Sequence, residues 1–512
     1  MIPARLLVAL LAGAGLAGAF EPVALPYLAP GAVAVFISCL SGRSLLAGAG
    51  IGFVFGVGLM GLLLRWLGPS IGTDAWIALF LIEAGWFALL GAAMRIVSRL
   101  PGWPVWVAAL WTSVELLRGL WPFGGFPWGR LGFSVVDSPW AATLPYIGVT
   151  GTTFLLVLLA AVAVWSLEYL PQLAPGRLAV LGGVVGVTLV PALVPYGTTS
   201  SGSMTVAVVQ GGVPGRGNEV AANHRQVTDN HVELTQALGR RVSLGLARRP
   251  DLVVWPENST AVDPFRDPVA NAGVSAAVEA VGAPVLVGAM VDAPDPDNVL
   301  NQGVVWSARG PAKERYTKHH PVPFGEYIPF RSVLGGLTGR LDQVPRDMLA
   351  GEGSRPLLIG GVEVADAICF DIAYDDVVGP QVASGARVVV VQTSNASFIG
   401  TSQLEQQFAI TRARALETGR SIVVASVNGV SGVIAADGQV VARASVKGAE
   451  VLVEEVPLRG GLTPAVRLAS AERYALWAVT LGALALAFRK TARGRTPVGY
   501  RREVGSSAGV SS

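Results

Sequence analysis

The chain has 512 residues, a formal net charge of +3, 52% hydrophobic residues and 14% charged residues. A soluble domain carries about 25% charged residues, so this composition points to a membrane-embedded chain; so small a net charge, with no basic patch interleaved with aromatics, argues against a nucleic-acid-binding protein. Two cysteines, Cys39 inside an apolar run and Cys369, exclude a disulfide framework.

Only 14 of the charged residues fall in the first 200, so the first part reads as membrane and the rest as a globular domain long enough to bury its own core. A spanning helix needs about 20 predominantly apolar residues. That rule places spans near 5–20, 24–40, 46–64, 75–94, 103–117, 146–167 and 178–196, and a last one near 474–488. The first run has small residues near Ala17 and Ala19 in the manner of a signal-peptide cleavage site, but an uncleaved span is expected. GAGLAG at Gly13–Gly18 lies in that run without a preceding strand and reads as helix packing, not as a dinucleotide fingerprint. GPSIG at Gly68–Gly72 reads as a loop between spans, not a nucleophile elbow.

Cytoplasmic loops retain positive charge. Arg5, Arg43, Arg95, Arg99 and Arg177 alternate consistently with a cytoplasmic N-terminus, and the tail with Arg489, Lys490, Arg493, Arg495, Arg501 and Arg502 agrees. The globular part is then external, and Arg118 and Arg130 run against the rule. Glu83 and Glu115 lie in or near spans, where an acid is costly, and Glu115 is expected to pair with Arg118 one helical turn on.

In the globular part, TVAVVQ, DLVVWP, PVLVGAMV, QGVVW, VADAICF and ARVVVVQ read as buried strands. Gln403–Arg420 reads as a helix stopped at Gly419, and VSGVIAADGQVVARA as a hairpin turning on Asp437 and Gly438. The expected domain is a layered α/β fold. His224, His231, His319 and His320 show no metal-ligand spacing, so no metal site is expected.

Three strand ends carry candidate chemistry. Glu257 closes DLVVWPENS beside Trp255 and Pro256, where an apolar setting suits a general base of raised pKa. RYTKHHPVPFGEYIPF holds Lys318, one of four lysines, and eight residues on Glu326; a compact ammonium can approach an oxyanion as a point charge. Cys369 ends an apolar strand before Asp371, and a thiol at a helix N-terminus near a lysine is expected to have a lowered pKa.

Together WPE, YTKHHPVPFGEY and ICFD resemble the Glu-Lys-Cys triad of the nitrilase superfamily, and in particular the apolipoprotein N-acyltransferase family. The likeness extends to QGGVPGRG, RARALETGRS and the GFPW of WTSVELLRGLWPFGGFPWGRLG. It implies seven spans in 1–198, an extracytoplasmic nitrilase-like αββα sandwich in 199–470, a closing span in 471–490 and a basic cytoplasmic tail in 491–512, all in a bacterial plasma membrane. It also implies a reaction. Cys369 takes an acyl chain from a phospholipid as a thioester and passes it to the N-terminal amine of a diacylglyceryl apolipoprotein, with Glu257 as base, Lys318 as oxyanion donor, and Glu326 and Phe370 in support. No metal or diffusible cofactor is required. Phe126, Trp128 and Arg130 suit a lipid entrance, the rings at the interface and the guanidinium on a phosphate; the alternative is that this loop only anchors the bundle.

Against the usual pattern, Phe370 and Asp371 stand where many members have Tyr and Glu, SNASFIG lacks an Asp and a Trp, and a tryptophan after QGGVP is absent. The triad is intact; lipid and acceptor contacts are what these changes touch. A membrane-tethered amidase using water as acceptor, and a non-catalytic lipid-binding scaffold, are the rival readings. Related actinobacterial proteins are sometimes joined to a polyprenol-phosphate mannose synthase, so the resemblance implies such an enzyme as a partner, although no such domain is read in these 512 residues.

Overall fold

A computed structural model describes residues 2–167, 175–194, 196–214, 223–334, 344–353 and 355–493; the stretch after QGGVP and the basic tail beyond 493 lie outside them. Helices form where hydropathy places them: α1 (Ile2–Ala17), α2 (Leu28–Leu40), α3 (Leu45–Leu63), the single turn α4 (Leu67–Ser70), α5 (Thr73–Val97), α6 (Trp103–Arg118), α7 (Leu144–Leu167) and α8 (Pro175–Leu193). Among the described residues, five helical stretches are long and apolar enough to cross a membrane: Leu45–Leu63, Thr73–Val97, Pro139–Leu167, Pro175–Leu193 and Pro464–Lys490. The other three expected spans are helices of 16, 13 and 16 residues, α1, α2 and α6. At 1.5 Å per residue they reach roughly 20–24 Å, short of the ~30 Å hydrocarbon core. Gly18, Pro22 and Pro26 interrupt the run between α1 and α2, and Gly102 and Gly119 bracket α6.

The bundle is held by backbone proximity as much as by side chains. A Cβ on Gly13 would lie 2.1 Å from the Phe55 carbonyl oxygen, and one on Gly52 2.0 Å from that of Phe87, so glycine sets how closely α3 approaches α1 and α5. GAGLAG is thus a packing surface, and GPSIG is the turn containing α4. Leu11, Leu46 and Leu89 stand exposed on the outer faces, as lipid-facing leucines do. The expected Glu115–Arg118 pair does not form. Arg118 instead meets Glu83 of α5 at 3.1 Å and the Phe126 carbonyl, while Glu115 accepts from the Trp111 indole, the Leu131 N–H and the Thr153 hydroxyl. Three donors thus satisfy the buried Glu115 carboxylate, which is how an acid becomes tolerable there.

The two ends of the bundle differ. At one, Arg5 donates to the carbonyls of Cys39 and Ser41, Arg95 to that of Arg43, and Lys490 to that of Arg99. At the other, the side chain of Gln406 joins bundle to domain: its carbonyl accepts the Trp66 and Trp128 indoles at 3.0 and 2.7 Å, and its amide donates to the carbonyls of Glu21 and Leu63. All four of its hydrogen-bonding positions are used.

The globular part runs β1 (Ser200–Gln210), α9 (His224–Ser243), β2 (Leu252–Val254), α10 (Pro268–Val281), β3 (Val285–Asp292), β4 (Asn298–Ser307), β5 (Gly310–Thr317), α11 (Arg331–Leu334), β6 (Asp347–Met348), β7 (Leu357–Ile359), β8 (Val362–Ile368), α12 (Val378–Ala383), β9 (Val388–Thr393), α13 (Gln403–Thr418), β10 (Ile422–Ser426), β11 (Gly432–Ile434), β12 (Val440–Arg443) and β13 (Glu450–Arg459). The long helix α14 (Pro464–Arg493) then re-enters the bundle beside α6 and α7. One sheet has the order β13-β1-β2-β3-β4-β5 with β6 beside β4, and the other β12-β11-β10-β9-β8-β7. Helices α9 and α10 cover the first sheet, α12 and α13 the second, and the sheets meet through β1 with β10 and β4 with β8, giving the four layers expected. The central strands β1–β3 and β8–β10 are parallel, and all six residues of β9 are buried, which is why their sequences are nearly continuous apolar runs. The expected stop at Gly419 is a left-handed cap (φ 62°), and β11 and β12 form the Asp437–Gly438 hairpin.

Candidate active site

Glu257, Lys318 and Cys369 lie just beyond the C-terminal ends of β2, β5 and β8, so two sheets bring to one place residues that are 61 and 51 positions apart. The Lys318 ammonium is fully buried and contacts Glu257 Oε1 at 3.1 Å and Glu326 Oε1 at 2.6 Å. Two of its three N–H groups are thereby used by carboxylates among the described residues. Burial opposes its charge, but the flanking carboxylates of Glu257 and Glu326 prevail and hold its pKa well above the ordinary ammonium value. Burial raises the Glu326 carboxyl, partly offset by Lys318; its other oxygen accepts the Val322 N–H at 2.8 Å. Glu257 is fixed from two further sides, by the Asn301 amide at 2.8 Å and the Ser394 N–H at 2.9 Å.

Cys369 opens a 3₁₀ turn, Cys369–Ala373, with φ of +54°. A non-glycine residue persists in that left-handed region only where its surroundings over-determine it. Here the Gln407 amide binds the Cys369 carbonyl, and the Arg414 guanidinium binds the carbonyls of Ile372 and Ala373. Asp371, buried, accepts from the Tyr316 hydroxyl and from the N–H groups of His319, His320 and Ile368. The shorter acid is therefore fully used, tying the loop after Lys318 to the turn of Cys369.

The expected lowered thiol pKa is not found. Burial, reinforced by Glu257, pushes the Cys369 thiol up to about 12, against the smaller lowering effects of Lys318 and a hydrogen bond from Thr393. Two carboxylates face one ammonium, so a third negative charge is disfavoured.

Phe126, Trp128 and Phe370 converge. Phe370 stacks on Phe126 at 5.7 Å and on Trp128 at 6.2 Å, so aromatic rings from the bundle loop roof the residue beside the thiol. That loop is fastened by the Tyr374 hydroxyl on the Gly125 carbonyl and the Tyr327 hydroxyl on that of Phe123. Arg130 departs from the expectation of a guanidinium open to phosphate. It is buried, bound to Asp375 at 2.7 Å and to the Thr150 hydroxyl, because Asp375 bridges it to Arg414. In the SNASFIG stretch, Phe398 packs edge-on against Trp66 at 5.3 Å.

Sequence reasoning missed Asn301, Thr393, Gln407 and Arg414; for Gln407 and Arg414 the polar face of QLEQQFAITRARALETGR, buried along most of its length, was the available signal. It also missed a group of metal-capable atoms. His319, His320 and Asp376 each offer one ligand atom within 4.8 Å of the others, and no local spacing foretells this because Asp376 is 56 residues beyond His320.

Residues 12–162 match the apolipoprotein N-acyltransferase N-terminal domain and residues 205–460 the carbon-nitrogen hydrolase family. The chain is 33% identical over 441 residues to a Mycolicibacterium smegmatis protein named apolipoprotein N-acyltransferase, covering 82% of this chain and 74% of that one. It is 27% identical to one of the same name from Photobacterium profundum, over 93% and 94%. An amidase of the nitrilase superfamily from Nesterenkonia, solved as a cysteine-to-alanine variant, aligns with 55% of this chain and 99% of its own at 17% identity and a TM-score of 0.39. With both parts matched in chain order, and a relative one-third identical along most of its length, this chain belongs to the apolipoprotein N-acyltransferase family.

Proposed function

We propose that this protein moves an acyl chain from a membrane phospholipid to the α-amino group of the N-terminal diacylglyceryl-cysteine of apolipoproteins, through a thioester on Cys369. The observation that carries this reading is the Lys318 ammonium clamped between Glu257 and Glu326, with aromatic rings of the membrane bundle stacked on Phe370, the residue after Cys369. In the first half-reaction Glu257 takes the thiol proton as sulfur attacks the ester carbonyl. The resulting oxyanion is met by the third N–H of Lys318 and the backbone N–H of Phe370, each such donor being worth about 2.7–4 kcal/mol. The C–O bond then breaks, and Glu257 returns the proton to the leaving lysophospholipid. In the second, Glu257 accepts a proton from the incoming amine, whose reference pKa of about 7.7–8.0 leaves part of it as free base at neutral pH. The amide forms, and the thiol leaves with a proton.

In this reading residues 1–198 and 471–490 form the membrane part, 199–470 the catalytic domain and 491–512 a cytoplasmic tail. Arg5, Arg43, Arg95, Arg99 and Lys490 gather at the bundle end remote from the domain, which supports a domain outside the cytoplasm. Both substrates carry acyl chains, so a site roofed by Phe126, Trp128 and Phe370 lets them arrive laterally without leaving lipid. The test is to incubate purified protein with labelled phospholipid and withhold the acceptor. An adduct of one acyl chain, cleaved by neutral hydroxylamine and discharged by added acceptor, is expected in the wild type and in Cys39→Ala and is absent in Cys369→Ala. Hydrolysis without a lipid preference would favour the amidase reading, and transfer by Cys369→Ala would overturn both.

A further inference from the structure

We propose that His319, His320 and Asp376 form a three-ligand site for a divalent transition-metal ion of the zinc class, beside the catalytic lysine and independent of the acyl-transfer reading. His320 Nε2 hydrogen-bonds to Asp376 Oδ1 at 2.9 Å, a bond whose proton an incoming ion would release to solvent, and His319 Nε2 lies 3.8 Å from Asp376 Oδ2. Donors around a tetrahedral zinc at about 2.0–2.2 Å stand roughly 3.3–3.6 Å apart, and the three ligand atoms here lie within 4.8 Å of one another, so small side-chain adjustments would close them on an ion.

The hydrogen bonding of His319 supplies the argument that something positive belongs there. Its Nδ1 lies 2.8 Å from the Gly351 carbonyl, which only accepts, so Nδ1 carries the proton. His319 Nε2 then faces the Asp376 carboxylate, an arrangement that a metal ion or a second ring proton between them would satisfy. An imidazole whose far nitrogen donates to a backbone carbonyl is also oriented as metal-bound histidines are. The His320 ring is fixed by stacking on Tyr374 at 3.6 Å, and the N–H groups of His319 and His320 are both held by Asp371. An ion would thus bridge the loop after Lys318 to the segment after the Cys369 turn, leaving a fourth position for water or another oxygen ligand. Of the other histidines, His231 has both nitrogens committed, to the Gly211 N–H and the Val227 carbonyl.

The test uses the full chain in detergent, free of any affinity tag, titrated with Co²⁺ and then Zn²⁺. One equivalent of Co²⁺ should bind, giving the visible band of a four-coordinate ion, and Zn²⁺ should displace it. Asp376→Asn and His319→Ala should each weaken Co²⁺ binding at least tenfold while melting as the metal-free wild type does, and His224→Asn should change nothing. For the wild type loaded with zinc, X-ray absorption should show two imidazoles in the first shell, a readout that needs no variant to fold. No stoichiometric binding, an unchanged affinity in Asp376→Asn, or a first shell without imidazole would mean that a proton alone occupies the gap, and the proposal fails.

Discussion

Replacing Lys318 by arginine tests the oxyanion assignment most directly, because it keeps the charge and changes only the shape of the donor. The ammonium is fully buried, with Glu257 at 3.1 Å and Glu326 at 2.6 Å taking two of its hydrogens. A guanidinium would still neutralise both carboxylates, so the 3–5 kcal/mol typical of breaking a buried pair is avoided. Its planar fork would engage them from a longer stem, however, and the donor left over would no longer point at the oxyanion of the tetrahedral intermediate. Loss of one oxyanion donor costs about 2.7–4 kcal/mol, or 10²–10³ in rate, and the larger head in a closed site adds an overpacking cost of about 1–3 kcal/mol to stability. Rapid-quench measurement of the acyl-enzyme in a single turnover, with phospholipid in excess, should show acylation slowed by about 10²–10³, and the melting transition should fall modestly. Lys313→Arg, on the exposed part of β5, should match the wild type. If Lys318→Arg acylates within about threefold of wild type, a barrier change below ~1 kcal/mol, the ammonium is not the oxyanion donor.

An alkaline phosphatase fusion after about residue 300 should be active, since the basic residues cluster at the opposite end of the bundle; a silent fusion where a cytoplasmic reporter works would reverse the orientation. Asp366 is buried between the sheets with no partner for either carboxyl oxygen among the described residues, and burial, with Asp371 adding to it, raises its pKa well above the ordinary value. The folded state therefore holds a proton that the unfolded chain releases near pH 4, and stability falls by up to ~1.4 kcal/mol per pH unit as pH rises toward the folded pKa. Asp366→Asn removes that loss, so its melting temperature should gain on the wild type as pH is raised from 5 to 8; parallel curves would show that Asp366 is not held protonated.

What could be read from the chain was whatever is written locally. Apolar runs gave the helices, β-rich runs ending in Glu257 and Cys369 gave two of the site's strand ends, and the spacing from Lys318 to Glu326 survived as a direct contact. The sequence carries no mark of contacts that close over hundreds of residues. Gln406 binding Trp66 and Trp128, and Asp375 claiming Arg130, depend on how bundle and domain meet, while Arg118 choosing Glu83 over Glu115 depends on how α5 packs beside α6. The thiol was misjudged for a related reason. A lysine nearby suggested a thiolate, but the sign depends on counting every charge around the sulfur, and the second carboxylate and the burial appear only in three dimensions. His319, His320 and Asp376 escaped because a metal-capable group split across two loops has no spacing to recognise.

The raised thiol pKa leads to a prediction in which two reactions of one variant move in opposite directions. With the folded pKa at about 12, roughly one thiol in 10⁴ is ionised at pH 8, so alkylation by iodoacetamide, which needs the thiolate, should be slow in the wild type. It should climb about tenfold per pH unit to at least pH 10 without a plateau. Glu257 is the largest charge raising the thiol, so Glu257→Gln lowers its pKa and should speed alkylation at fixed pH by about tenfold for each unit of the shift. The same change removes the proton acceptor, and thioester formation from phospholipid should fall by about 10²–10⁴. Some stability is also lost, because Lys318, Asn301 and the Ser394 N–H all donate to the carboxylate and an amide has only one accepting oxygen. The measurement is best made in a Cys39→Ala background, with the modified residue mapped by mass spectrometry. A plateau in wild-type alkylation near pH 8 would mean that the thiol is not held protonated. Alkylation and acylation falling together in Glu257→Gln would mean that the carboxylate's charge does not set the thiol's pKa and that it removes the proton for any electrophile.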